Sequence, residues 1–134
     1  MSEARYAIGI DLGTTNCVMA KTELAQELRS SEEAPAVSVV SIPQLTKPGE
    51  VETRAQLPSF LYQAHESELA ETDTALPWTA KPNALVGSIA RHLGSKTPLR
   101  LVASAKSWLC HGGVDRRAEF LPLNAAEDVV KVSP

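Results

Sequence analysis

The chain has 134 residues, 43% of them hydrophobic and 22% charged, enough for one modest globular domain with a core of its own. A formal charge of -3, with no basic run longer than Arg116-Arg117, leaves a nucleic-acid partner without an electrostatic footprint. No apolar run reaches membrane length, and the first ten residues lack the cationic start and apolar centre of a signal peptide, so no membrane partner and a cytoplasmic location are the expectations.

In chain order, residues 6–11 and 16–21 read as two strands, because Tyr6 to Ile10 is an apolar run and Cys17-Val18-Met19-Ala20 resumes one after a turn. The turn, Asp11-Leu12-Gly13-Thr14-Thr15-Asn16, carries chemistry. Asp11 offers a carboxylate able to organise Mg2+, Gly13 permits close backbone approach, and Thr14, Thr15 and Asn16 offer hydrogen bonds to phosphate oxygens. It is neither a Walker A loop, which needs Gly-x-x-x-x-Gly-Lys-Ser/Thr, nor the Gly-x-Gly-x-x-Gly dinucleotide fingerprint. Read plainly, it is also an acceptable hairpin turn.

Residues 23–31 are charged and suit a loop or a short helical turn, and residues 36–42 read as a strand that Pro43, Pro48 and Gly49 break. A further strand is expected over residues 59–63. Residues 65–73, with His65, Glu66, Glu68, Glu71 and Asp73, form an acidic surface loop anchored by the residues around Trp78. A helix is expected over residues 88–94, capped by Ser88 and stopped by Gly94. Pro98 then precedes the segment Leu101-Val102-Ala103-Ser104-Ala105-Lys106-Ser107-Trp108-Leu109, which Gly112-Gly113 ends. Cys17 and Cys110 make no Cys-x-x-Cys pair, so a reduced, buried Cys17 is expected, and Cys110-His111, His65 and His92 have no metal-ligand spacing.

The run Ile8-Gly9-Ile10-Asp11-Leu12-Gly13-Thr14-Thr15-Asn16 resembles the first phosphate loop of the actin-like ATPase superfamily, which includes DnaK-type seventy-kilodalton heat-shock chaperones, actin-like filaments and several sugar kinases. Ser104-Ala105-Lys106 with Leu109 is similar to the Ser-Ala-Lys-x-x-Leu segment of the chaperone branch. Leu57-Pro58-Ser59 resembles that family's Thr-Pro-Ser strand, and Val86-Gly87 its Val-Gly before a helix. The order matches, although residues 22–35 and 65–78 are expanded and Ser107-Trp108-Leu109-Cys110-His111 replaces a more basic stretch.

The resemblance implies an α/β or α+β fold: an incomplete ribonuclease-H-like first lobe, mostly antiparallel strands with short helices, spanning residues 1–134. It implies ATP and Mg2+ as cofactors, Asp11 ordering a water on the metal, and Gly13, Thr14, Thr15 and Asn16 holding phosphates. Lys106 would serve hydrolysis from a short helix capped by Ser104; without the resemblance it is one surface lysine. The implied parent is a chaperone ATPase acting on unfolded client peptides, with co-chaperones. No second phosphate loop is visible, and Ser133-Pro134 suits a helix start, so an N-terminal fragment is the expectation, inactive by itself. Two alternatives stand beside it: a sugar kinase of the same superfamily and a non-catalytic interaction module on the same fold.

Overall fold

Tyr6–Leu12 (β1) and Asn16–Glu23 (β2) form the opening antiparallel hairpin of the computed structural model, which describes residues 4–24 and 36–134. The expected strands are therefore present and slightly longer. Its turn is tight: a Cβ on Gly13 would stand 2.2 Å from the backbone oxygen of Asn16, so only glycine fits there. Most of the stretch at residues 23–31 lies outside the described residues.

The far edge of β2 receives two short partners. Ser38–Val39 (β3) pairs with Ala20 and Lys21, and the later strand β6, Leu57–Pro58, pairs with Asn16 and Cys17. The strand expected over residues 36–42 is thus divided. After Val40 donates its N–H to the Met19 carbonyl at 2.8 Å, the chain leaves this sheet, and Ile42–Lys47 (β4) builds a second hairpin with Glu50–Arg54 (β5).

Pro43 does not break that strand. It lies within β4 opposite Thr53, since a two-stranded hairpin has outer edges on which a missing N–H costs nothing. Pro48 and Gly49 instead form the turn, with Gly49 at φ +72°. β5 has no counterpart in the sequence reading; every residue of it is exposed, so it lacks the half-buried alternation that betrays a strand.

The third sheet has Phe60–Tyr62 (β7) between Leu85–Val86 (β8) and Leu101–Ala103 (β9), all antiparallel. Among the described residues there are three short α-helices: Glu71–Thr74 (α1), Ser88–Gly94 (α2) and Ala105–Trp108 (α3). The molecule is mixed α/β with mostly antiparallel strands. α2 lies against β4 and β7, and the core forms there from Leu45, Tyr62, Leu85, Ile89 and Ala90, with Tyr62, Ile89 and Ala90 fully buried.

α2 has the expected bounds but a different start. Its N-cap is Gly87 at φ +79°, not Ser88, and there is no side-chain cap. Ser88 already belongs to the helix, and its N–H (3.1 Å) and hydroxyl (2.7 Å) both donate to Gln44 Oε1, while Gln44 Nε2 donates to the Gln56 carbonyl at 2.8 Å. This buried polar bridge ties α2 to the β4–β5 hairpin and satisfies groups that would otherwise be costly to bury. Gly94 fits because a Cβ there would collide with Leu101 at 2.4 Å.

In the acidic segment, Trp78 is 62% exposed and does not act as the anchor; Leu76 packs on the core instead. The loop contains the α1 turn, and Tyr62 Oη donates to Glu68 Oε1 at 2.8 Å.

Candidate functional site

The tip of the first hairpin is held from two sides by distant parts of the chain. Because β6 pairs with the start of β2, the next residue, Ser59, reaches the turn itself. Its N–H donates to the Thr15 carbonyl at 2.9 Å and its hydroxyl to the Gly13 carbonyl at 2.7 Å. Cys17 Sγ lies 3.4 Å from the same hydroxyl. Cys17 is a free thiol as expected but only partly buried, because one face of this hairpin is not covered by the core.

The second brace comes from α3. β9 lies beside β7, and Ser104 then turns the chain sharply at φ +53°, a left-handed conformation rare for a residue with a side chain. Ser104 occupies the N-cap position as expected, yet its hydroxyl makes no cap; it acts through its backbone bend. Trp108 packs edge-on against Phe120, ring centres 5.4 Å apart, which gives the four-residue helix a hold on the body of the protein.

The outcome is that Lys106 Nζ donates to the Leu12 carbonyl at 2.6 Å across 94 residues of sequence. Leu12 stands between Asp11 and Gly13, so the ammonium is fixed at the root of the expected phosphate loop. One of its three N–H groups is used there, leaving two for other acceptors.

The candidate residues identified in the sequence therefore converge on one place, with Asp11, Thr14 and Thr15 exposed and Gly13 and Asn16 half-buried. Asp11 projects from the face of β1 opposite to Ile10 and Leu12, by strand alternation. Ser59 was not among the site residues read from the sequence; its place in Leu57-Pro58-Ser59 was the available signal. Among the described residues no cluster of three or more His, Cys, Asp or Glu side chains could hold a metal, so Asp11 offers a lone carboxylate.

Asn16 also lines an open hollow together with Arg54, Gln56, Ser88 and Arg91. A small apolar pocket between Leu45, Leu57, Leu76 and Trp78 is separate from the loop residues. Comparison with protein-family models, with curated proteins and with solved structures finds no match to this chain.

Proposed function

We propose that this chain supplies the phosphate-binding wall of an ATP-hydrolysing domain of the actin-like type, of the DnaK-like chaperone branch. The observation that carries the reading is the 2.6 Å contact between Lys106 Nζ and the Leu12 carbonyl, which brings the two motifs of the resemblance to one loop. The antiparallel β1–β2–β3 order is in keeping with a ribonuclease-H-like first lobe.

In this reading the hydroxyls of Thr14 and Thr15, the Asn16 amide and the close backbone at Gly13 bind the phosphates of ATP. Asp11 would hold Mg2+ through water. A single exposed carboxylate suits that ion, which keeps several waters and takes one or two carboxylates together with substrate phosphates. The metal would neutralise phosphate charge. Lys106 contributes a positioned ammonium for charge developing on the terminal phosphoryl group and orients the attacking water. Client peptides and co-chaperones belong to the same reading through family likeness.

The sugar-kinase alternative leaves Lys106 without a task. The decisive experiment follows backbone amide shifts of the labelled chain as ATP and Mg2+ are added. Gly13 to Asn16 and Lys106 should move first, and Thr14→Val should weaken the effect by about ten- to a hundredfold, the loss of one hydrogen bond to a charged group. Shifts that avoid the hairpin tip, or none at all, would sink the nucleotide reading and favour the interaction module.

A further inference from the structure

Gln44 is a polar side chain of β4 that is only 2% exposed, and both ends of its amide are bonded. Oε1 accepts from the N–H and the hydroxyl of Ser88 in α2, while Nε2 donates to the Gln56 carbonyl. A buried amide bound at both ends can neither flip nor slide without leaving a polar group unpaired. Gln44 therefore holds α2 and residue 56 at one fixed separation.

Residue 56 stands directly before β6, whose own hold on β2 is slight. The pairing consists of Leu57 opposite Cys17 and Pro58 opposite Asn16, and Pro58 has no N–H to give. A two-residue ladder short of a donor does little to fix its position, so the restraints at its two ends decide where it lies. At one end Gln44 holds the Gln56 carbonyl. At the other, the N–H and hydroxyl of Ser59 are bonded to the Thr15 and Gly13 carbonyls. The junction has no spare room: a Cβ on Gly87 would lie 2.6 Å from Leu57 Cδ1 and 3.0 Å from Gln44 Oε1, so the start of α2, β4 and β6 meet in direct contact. Gln56 and Ser88, the two residues that Gln44 joins, also border the hollow that Asn16 lines.

We propose that Gln44 is a positioning residue for the turn at Gly13 to Asn16: by setting where Gln56 lies relative to α2, it sets where Ser59 grips the turn. Gln44 touches no residue of the turn and acts through β6 and Ser59. Through this link the β4–β5 hairpin, a separate two-stranded sheet, bears on the turn, so a shift of the hairpin alters the grip of Ser59. The consequence for phosphate binding rests on the nucleotide reading above, whereas the link from Gln44 to Ser59 does not.

Gln44→Glu is the direct test. Its carboxylate still accepts from Ser88 at the start of α2, where negative charge is favoured, but it cannot donate to the Gln56 carbonyl. Hydrogen exchange of the Ser59 amide, which is bonded to Thr15, should quicken by about tenfold, the loss of one buried hydrogen bond. Ser88→Ala is milder: it keeps the Gln56 bond and removes one of the two donors to Gln44 Oε1, so Ser59 exchange should quicken by about threefold. That variant decides the matter where Gln44→Glu does not fold. Val129→Ala, a buried site outside the link, should quicken Ser59 no more than the amides of α2. In an amide-shift titration with ATP and Mg2+, Gln44→Glu should raise the dissociation constant by about three- to tenfold and Val129→Ala should leave it within about twofold of the native value. Unchanged Ser59 exchange in the Gln44 and Ser88 variants, a response no larger than that of Val129→Ala, or quickened exchange with unaltered nucleotide affinity would overturn the proposal. A native hairpin tip that ignores ATP, with Ser59 still answering to Gln44, would sink the nucleotide reading and leave the link intact.

Discussion

The hydroxyl of Ser59 donates to the carbonyl of Gly13 at 2.7 Å, across 46 residues of sequence. With the Ser59 N–H on the Thr15 carbonyl, one residue braces both arms of the turn. Ser59→Ala removes the first bond and keeps the second, so unfolding stability should fall by about 0.5–1.5 kcal/mol. Amide exchange at Thr14 to Asn16 should quicken more than in α2, as measured by hydrogen exchange. Equal exchange in both places would show that the turn holds its shape without the hydroxyl.

Gly87 should tolerate substitution poorly. It sits at φ +79°, and a Cβ would come within 2.6 Å of Leu57 Cδ1 and 3.0 Å of Gln44 Oε1. Gly87→Ala combines left-handed strain with displacement of the buried Gln44 bridge, so chemical denaturation should reveal a loss of about 1–3 kcal/mol. A neutral result would mean that α2 can start one residue later without cost.

Acid sensitivity should centre in part on Asp128. The hydrogen bond from the Arg100 guanidinium, whose side chain is only 11% exposed, holds the Asp128 carboxyl below its ordinary value. A carboxyl lowered in the folded state adds stability above its unfolded value of about 3.9 and loses that contribution as pH falls through the folded value. Asp128→Asn should therefore melt earlier than the native chain at neutral pH, with the gap closing below about pH 4. A gap that stays constant under acid would remove the pair from the pH response. Glu52 beside Arg54 and Glu71 beside Lys81 are lowered in the same direction, but these exposed pairs are screened by salt.

Lys106→Met separates tethering from chemistry. The variant keeps much of the side-chain length and removes the ammonium, so melting should change little, because the contact is exposed. In the full-length parent, single-turnover ATP hydrolysis should drop by roughly 10² to 10³ with binding retained, the usual loss when a positioned charge is removed from a reacting centre. Hydrolysis within about twofold of the native rate would return Lys106 to the role of a surface tether.

Local pattern alone made much of the molecule legible. The first hairpin follows from two apolar runs around a glycine turn, and α2 keeps its expected bounds, Ser88–Gly94, because hydrophobic spacing and glycine breakers act within one turn of chain. The same local rules misplaced Pro43, which a free strand edge accommodates, and missed β5, whose exposed residues carry no burial signal. They assigned Ser88 to a cap when its hydroxyl is committed to Gln44, 44 residues away.

By itself the sequence determined which residue types stand at the hairpin tip and where chain direction could change, since propensity, turn chemistry and spacing are properties of neighbours. Only the tertiary structure decided what meets that tip. Ser59 arrives there because β6 pairs with β2, and Lys106 arrives because β9 pairs with β7 and Ser104 bends into α3. The same assembly leaves β1 with no second partner among the described residues. Which strand edges are joined depends on packing the whole chain around one small core, and no local stretch of residues carries that information.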